Sequence, residues 1–484
     1  MSNRPIRLVF SLVALLACAP LVRAQPAFPP PTHVGDPAKL GLGIQRAMTL
    51  LTTSTPEHRN TVRVLFYGQS ITEQDWWKPV ADDLRRRFPS ANLIIENRAL
   101  GGYASQLLVK SAETDLYPFQ PDLLIFYVYG SHIEYENIIR RTRERTAADI
   151  VIQTDHVNAD ANLTELTDPG QIPGPDGKIW NSFMNYKFLP EMVERYHLGV
   201  IDQRNLWKQY LQENNLPAKQ LLRDGVHLNA HGNYLMAELV KSYLVRRAEA
   251  TIDPMNCDVV KTQVVGRDIS WNDGRLTVPF DGNRVDVVVR PGPAGGSAEV
   301  RIDGKRPSEF TELYGFTRAL ARPGGKWPPV MLISAEKTPL VEEWTMQVAR
   351  DPAREKTYTF TLTGSRTGPD GQGRSDQRFV SNSGRVVIPP EGWGVEFALE
   401  VLAGFKPVPA AFTVKWQTIP QFADTFASPG AKAPAIETTV TLAQGLANGK
   451  HTLEITGADS TPIAAIRVYR PPLQPATPST TQPK

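Results

Sequence analysis

Between residues 61 and 248, five short apolar runs, near 61–67, 92–96, 122–128, 149–154 and 198–201, alternate with stretches of helical periodicity, and few folds accept that rhythm. Strands buried on both faces read as near-continuous apolar runs, and strands separated by helical stretches pair in parallel. The pattern predicts an α/β unit with a parallel sheet between layers of helices. Val80, Leu84 and Phe88 fall at i, i+4 and i+8, and Leu235, Leu239 and Tyr243 repeat that spacing in the closing stretch 232–246. Those faces are expected to cover the sheet.

After Pro254 the texture changes to alternating, β-branched segments such as 284–289, 357–362 and 451–455. Turn signals at Asn272-Asp273-Gly274 and Ile302-Asp303-Gly304-Lys305 separate them, so a β-sandwich region is expected, as one large sandwich or two small ones. The expected division is a leader over 1–24, a Pro-rich segment and lead-in over 25–60, the α/β unit over 61–250, the β-sandwich region over 255–470 and a Pro/Thr tail over 471–484. Both Pro-rich ends are expected to be extended and poorly ordered.

Arg4 and Arg7, the apolar stretch Leu8 to Ala17, and Val22-Arg23-Ala24 form the three parts of a secretory leader too short to span a membrane. Cleavage after Ala24 is the favoured reading, and a lipobox at Leu15-Leu16-Ala17-Cys18, which would lipidate Cys18, is the competing one. Either makes the protein exported, to the periplasm or beyond, and the cleaved chain keeps only Cys257, so an internal disulfide is not expected. The formal charge of +3 comes from Arg4, Arg7 and Arg23, and without them 50 basic residues face 50 acidic ones. Nothing in that balance suggests nucleic-acid binding.

The chemistry concentrates at the ends of the apolar runs. The first run ends in Gly68-Gln69-Ser70, where glycine permits a sharp exit and Ser70 opens the next helix. A serine hydroxyl is a poor nucleophile until a base takes its proton and a carboxylate orients that base. Asp224 and His227, three residues apart in Asp224-Gly225-Val226-His227, supply both from one turn. Loops after parallel strands converge at the sheet's carboxyl edge, which collects Ser70, Asn97 to Gly102, and Tyr129 to His132. Acyl transfer also needs oxyanion donors, expected from the N–H of Ser70 and of a glycine in Asn97-Arg98-Ala99-Leu100-Gly101-Gly102.

This order and spacing resemble the SGNH hydrolases, or GDSL esterases, over residues 60 to 248. Gly68-Gln69-Ser70 matches the first block and Asp224-Gly225-Val226-His227-Leu228-Asn229 the last. Asn97 to Gly102 resembles the second, with Gly102 where that block's oxyanion glycine stands. The third block departs from the pattern: His132, in Gly130-Ser131-His132-Ile133, occupies the position of the oxyanion asparagine. The resemblance implies a flavodoxin-like three-layer SGNH domain and a serine esterase needing no metal or organic cofactor. Its implied substrate is a carbohydrate carrying a small acyl group, most plausibly acetate. Lipid, methyl or aryl ester hydrolysis on the same fold, and a non-catalytic glycan-binding protein with a decayed hydrolase domain, are the alternatives.

Each signal has a plainer reading. A lone Gly-x-Ser is more often a helix cap, and only the combination with Asp224 and His227 carries the nucleophile. His227 and His231 stand four apart but lack the glutamate and third ligand of a zinc site; 229–233 reads instead as the start of a helix. Asp155 and His156 follow a strand and are expected to line the substrate or support the structure. Trp76 and Trp77 are candidate sugar-stacking surfaces, with core packing the commoner use.

Overall fold

The computed structural model describes residues 27–430, 435–458 and 460–474. The leader with Cys18 and Ala24, and the tail from 475 on, lie outside these residues. Five parallel strands, β1 (Thr61–Gly68), β2 (Asn92–Asn97), β3 (Leu123–Tyr127), β4 (Asp149–Gln153) and β5 (Gly199–Ile201), pair in the order β2-β1-β3-β4-β5. The order is flavodoxin-like, with its switch point between β1 and β3.

Nine α-helical segments lie among the described residues of this half: α1 (Gln45–Thr52), α2 (Ser70–Glu73), α3 (Trp77–Arg87), α4 (Ser105–Asp115), α5 (His132–Arg145), α6 (Trp180–Phe183), α7 (Leu189–Tyr196), α8 (Gln203–Glu213) and α9 (Ala230–Tyr243). Side chains alternate along β1, as a pleated strand requires. Val62, Val64 and Phe66 pack with α1, α3, α8 and α9 on one face, while Leu65 and Tyr67 pack with α4, α5 and α7 on the other. The three-layer architecture follows. α1 belongs to it: Ile44, Met48, Leu50 and Leu51 are buried against the sheet, at about 1.5–3 kcal/mol for each large apolar side chain. The α/β body therefore starts within the stretch expected to be only a lead-in.

The Pro-rich segment before α1 is not a loose tail over its described part. Phe28 stacks on His231 at 4.3 Å, and the Pro29 carbonyl accepts the Tyr210 hydroxyl at 2.8 Å. At the other end Asn448 Nδ2 donates to the carbonyls of Pro471 and Leu473, which extends the ordered chain past residue 470.

Beyond Pro254 the chain builds two large antiparallel sheets and a two-stranded one, Phe379–Val380 with Val387–Ile388. It enters a six-stranded sheet at Val260–Val264, Arg275–Val289 and Gly295–Ile302, and leaves for a five-stranded sheet between Tyr314 and Pro420. It then returns through Thr425–Ser428, Thr439–Gly457 and Ile463–Tyr469. Each large sheet has its own apolar core, one around Val285, Val300 and Ile466, the other around Trp344, Phe360 and Trp416. The five-stranded part is thus an insert within the six-stranded one. Both Asp-Gly turns take positive φ at both residues, Asp273-Gly274 and Asp303-Gly304, the geometry that matches strand twist in tight hairpins. Among the described residues no helix is long and apolar enough to cross a membrane.

Candidate active site

Ser70 is delivered by a turn with little freedom. A methyl on Gly68 would collide with the Tyr127 carbonyl and the Thr72 hydroxyl, so glycine is required there by close approach of β3. Thr72 Oγ1 donates to the Tyr127 carbonyl at 2.8 Å, and Asn97 Nδ2 donates to the Thr72 carbonyl at 2.8 Å. These bonds tie α2 to the ends of β3 and β2. Ser70, the first residue of α2, is left half-buried at the carboxyl edge.

Across the edge stands the turn 224–227. His227 Nε2 lies 3.0 Å from Ser70 Oγ, and His227 Nδ1 lies 2.9 Å from Asp224 Oδ2. Asp224 Oδ1 accepts the N–H of His227 at 2.7 Å and of Val226 at 2.9 Å. Those backbone donors, with the imidazole beside them, hold the Asp224 carboxyl well below the usual carboxylate range. Asp224 is therefore ionised and acceptor-only at neutral pH, Nδ1 carries the proton toward it, and Nε2 is left to accept from the Ser70 hydroxyl.

Two residues hold this turn in place. Gln74, just past α2, accepts the Leu228 N–H at 3.0 Å and donates to the Leu228 carbonyl at 2.8 Å, which joins the serine's segment to the histidine's. His156 lies buried beneath, its Nε2 2.9 Å from the Val226 carbonyl and its Nδ1 3.0 Å from the Tyr127 hydroxyl. Burial, against the Val226 hydrogen bond and with Arg204 and His227 nearby, holds its pKa down to about 4, so the ring is neutral. Asp155 is buried too, pushed up to about 6 by burial, and bonded through its N–H and carboxylate to Asn185.

Asp155 and His156 are therefore both drawn into the interior rather than exposed at the edge. Strand β4 ends at Gln153, and the chain turns inward rather than out to the edge. Trp76 is likewise core: it is fully buried, its indole N–H satisfied by the Ile71 carbonyl at 2.7 Å. Trp77 is half-buried against Phe66 and borders a cleft of about 710 Å³, together with Arg98, Phe119, Phe316 and Arg318. His231 meets the Tyr210 hydroxyl at 2.7 Å and stands away from His227's bonding, and Asn229 Oδ1 caps α9 by accepting the N–H of His231 and Gly232.

The oxyanion candidates differ from one another. In the 98–103 loop the Gly101 N–H is engaged, donating to Glu73 Oε2 at 2.9 Å, whereas the Gly102 N–H has no acceptor among the described residues. Ser70, at the first helical position, carries one of the helix's free N–H groups. His132, the first residue of α5, makes no side-chain hydrogen bond among the described residues. Its ring makes T-shaped contacts with Trp180, Phe183 and Phe188, at centroid distances of 5.7, 5.3 and 5.4 Å.

Glu73 and Gln74 were not read from the sequence, and for His156 a supporting role was one of two readings, without its partner Val226. Glu73 and Gln74 follow Ser70 closely, and that proximity was the available signal; their partners lie about 30 to 250 residues away.

No family model matches the chain, and the search of curated proteins found no match. Among solved structures, the chain is similar to a two-domain esterase active on acetylated mannans, at 13% identity and a TM-score of 0.34, covering 89% of this chain and 97% of that one. An acetylxylan esterase from Geobacillus stearothermophilus has 15% identity and a TM-score of 0.32, covering 40% of this chain and 99% of that one. A putative GDSL-like lipase from Parabacteroides merdae has 17% identity and a TM-score of 0.31, covering 39% and 97%.

Proposed function

We propose that this chain is an exported serine esterase of the SGNH type, acting on a carbohydrate that carries small acyl groups, acetate above all. The observation that carries the chemistry is the continuous path from Asp224 Oδ2 through His227 to Ser70 Oγ, with contacts of 2.9 and 3.0 Å. The substrate class rests on the sequence blocks at Ser70, Gly102 and Asp224/His227, and the export on the leader pattern.

In this reading Ser70 Oγ attacks the ester carbonyl as His227 Nε2 takes its proton. Asp224 stabilises the imidazolium that forms. The tetrahedral oxyanion is received by the N–H groups of Ser70 and Gly102. His227 returns the proton to the leaving alcohol, leaving an acyl-enzyme. Water then repeats the sequence, deprotonated by His227, and frees the acid. None of these steps calls on a metal or organic cofactor.

Hydrolysis of an aryl acetate by wild type and Ser70→Ala tests the chemistry: a loss of about 10⁴-fold or more is expected, and equal residual rates would remove the enzyme reading in favour of a glycan-binding protein. Acetate release from a panel of acetylated polysaccharides, set beside lipid and methyl esters, tests the substrate class.

A further inference from the structure

The inserted five-stranded unit reaches the loop expected to hold the oxyanion. Trp327 Nε1 donates to the Gly101 carbonyl at 2.9 Å, and the Tyr103 hydroxyl donates to the Pro328 carbonyl at 3.1 Å. Arg318 donates to the Arg98 carbonyl at 3.1 Å while pairing with Asp115 at 2.7 Å. Lys326 forms an ion pair with Glu73, whose other oxygen accepts the Gly101 N–H. Leu402 packs onto Gly102, where a methyl would meet its Cδ2 at 2.5 Å and force it to shift.

One of these bonds bears directly on Gly102. The Gly101 carbonyl and the Gly102 N–H belong to the same planar trans peptide, so they point in opposite directions and turn together. Holding the carbonyl from the insert fixes where the N–H aims. Glu73 adds a second grip on Gly101 from α2, the helix that starts at Ser70. Lys326 balances a carboxylate that would otherwise place negative charge beside a site where negative charge develops.

We infer that Trp327 and Lys326 are positioning residues for ester hydrolysis, through which the inserted β unit sets the Gly102 N–H that receives the oxyanion. The inference rests on the serine-esterase reading and adds a role for the second half of the chain. It makes the insert part of the catalytic apparatus, acting on turnover.

The test uses the full chain. Trp327→Phe keeps an aromatic ring and removes the donor, Lys326→Met removes the charge, and Lys326→Arg restores it. With 4-nitrophenyl acetate, and rates normalised to Ser70 sites titrated by a fluorophosphonate, Trp327→Phe and Lys326→Met should each lower kcat roughly 10- to 100-fold with KM within about threefold. Lys326→Arg should recover most of the loss. Affinity for an alkyl boronic acid, whose adduct on Ser70 mimics the tetrahedral state, should fall by a similar factor in the two impaired variants.

Normalised kcat within twofold of wild type, or a fall in kcat with boronate affinity unchanged, would overturn the inference while leaving Ser70 as nucleophile. If wild type neither hydrolyses the acetate nor reacts at Ser70, the esterase reading fails and the inference fails with it.

Discussion

His156 offers a sharp test of how the turn bearing His227 is supported. Its Nε2 faces the Val226 carbonyl, which can only accept, so that nitrogen carries the proton and Nδ1 accepts from the Tyr129 hydroxyl, which in turn accepts from Tyr127. Burial holds its folded pKa at about 4, against an ordinary 6.5. Because the folded value lies below the unfolded one, the unfolded chain binds more protons between those pH values, and the contribution of His156 to stability is lost as pH falls from 6.5 toward 4. Integrating over that range gives a loss of about 2 kcal/mol between pH 7 and pH 5 and about 3 kcal/mol in full.

Asp149 and Asp155, each pushed up to about 6 by burial, act with the opposite sign, losing stability as pH rises from the ordinary 3.8 toward 6. A comparison of wild type with His156→Gln separates the histidine from them. At pH 7 the variant should be less stable by about 1–3 kcal/mol, since the buried Tyr129 hydroxyl loses its acceptor. At pH 5 the gap should narrow by about 2 kcal/mol. Urea unfolding at the two pH values, following the transition of the α/β half, measures it. A gap constant to within about 0.5 kcal/mol would refute the assignment of a buried neutral ring.

Other consequences follow from the same site. Gly68→Ala should destabilise the α/β half by about 3 kcal/mol or more, because the new methyl meets the Tyr127 carbonyl; a melting temperature within a degree of wild type would contradict that contact. Asp224→Asn should keep the fold and lower kcat by about 10³- to 10⁴-fold, since the imidazole loses its tautomer and its counter-charge; steady-state kinetics beside circular dichroism checks both halves of the statement. For His132, in T-shaped contact with three aromatic rings, His132→Leu should cost less than about tenfold in kcat at every pH, whereas a loss of about 10²- to 10³-fold would make it an oxyanion donor.

The parts of this molecule legible in sequence are those set by local pattern. All five parallel strands lie within two residues of their apolar runs, because a strand buried on both faces writes its burial into every residue. The pairing of Asp224 with His227 was legible for a similar reason, since one short turn brings residues three apart together. What stayed hidden depends on partners far along the chain. Trp76 invited a sugar-binding reading because nothing local reveals that its indole N–H is met by Ile71 inside the core. Asp155 and His156 follow a strand as an edge pair would, yet Asn185, Arg204 and Val226 draw them inward. The Pro-rich start has a tail's composition, and Phe28 is held by a histidine about 200 residues away.

The central claim is that Ser70 is the nucleophile, activated by His227 and Asp224. Reaction with a fluorophosphonate followed by peptide mass mapping tests it most directly. The account predicts one adduct per chain, on Ser70, formed in step with loss of aryl acetate hydrolysis, absent from Ser70→Ala and much slower in His227→Ala. Labelling at another residue, or hydrolysis that survives complete modification of Ser70, would contradict it.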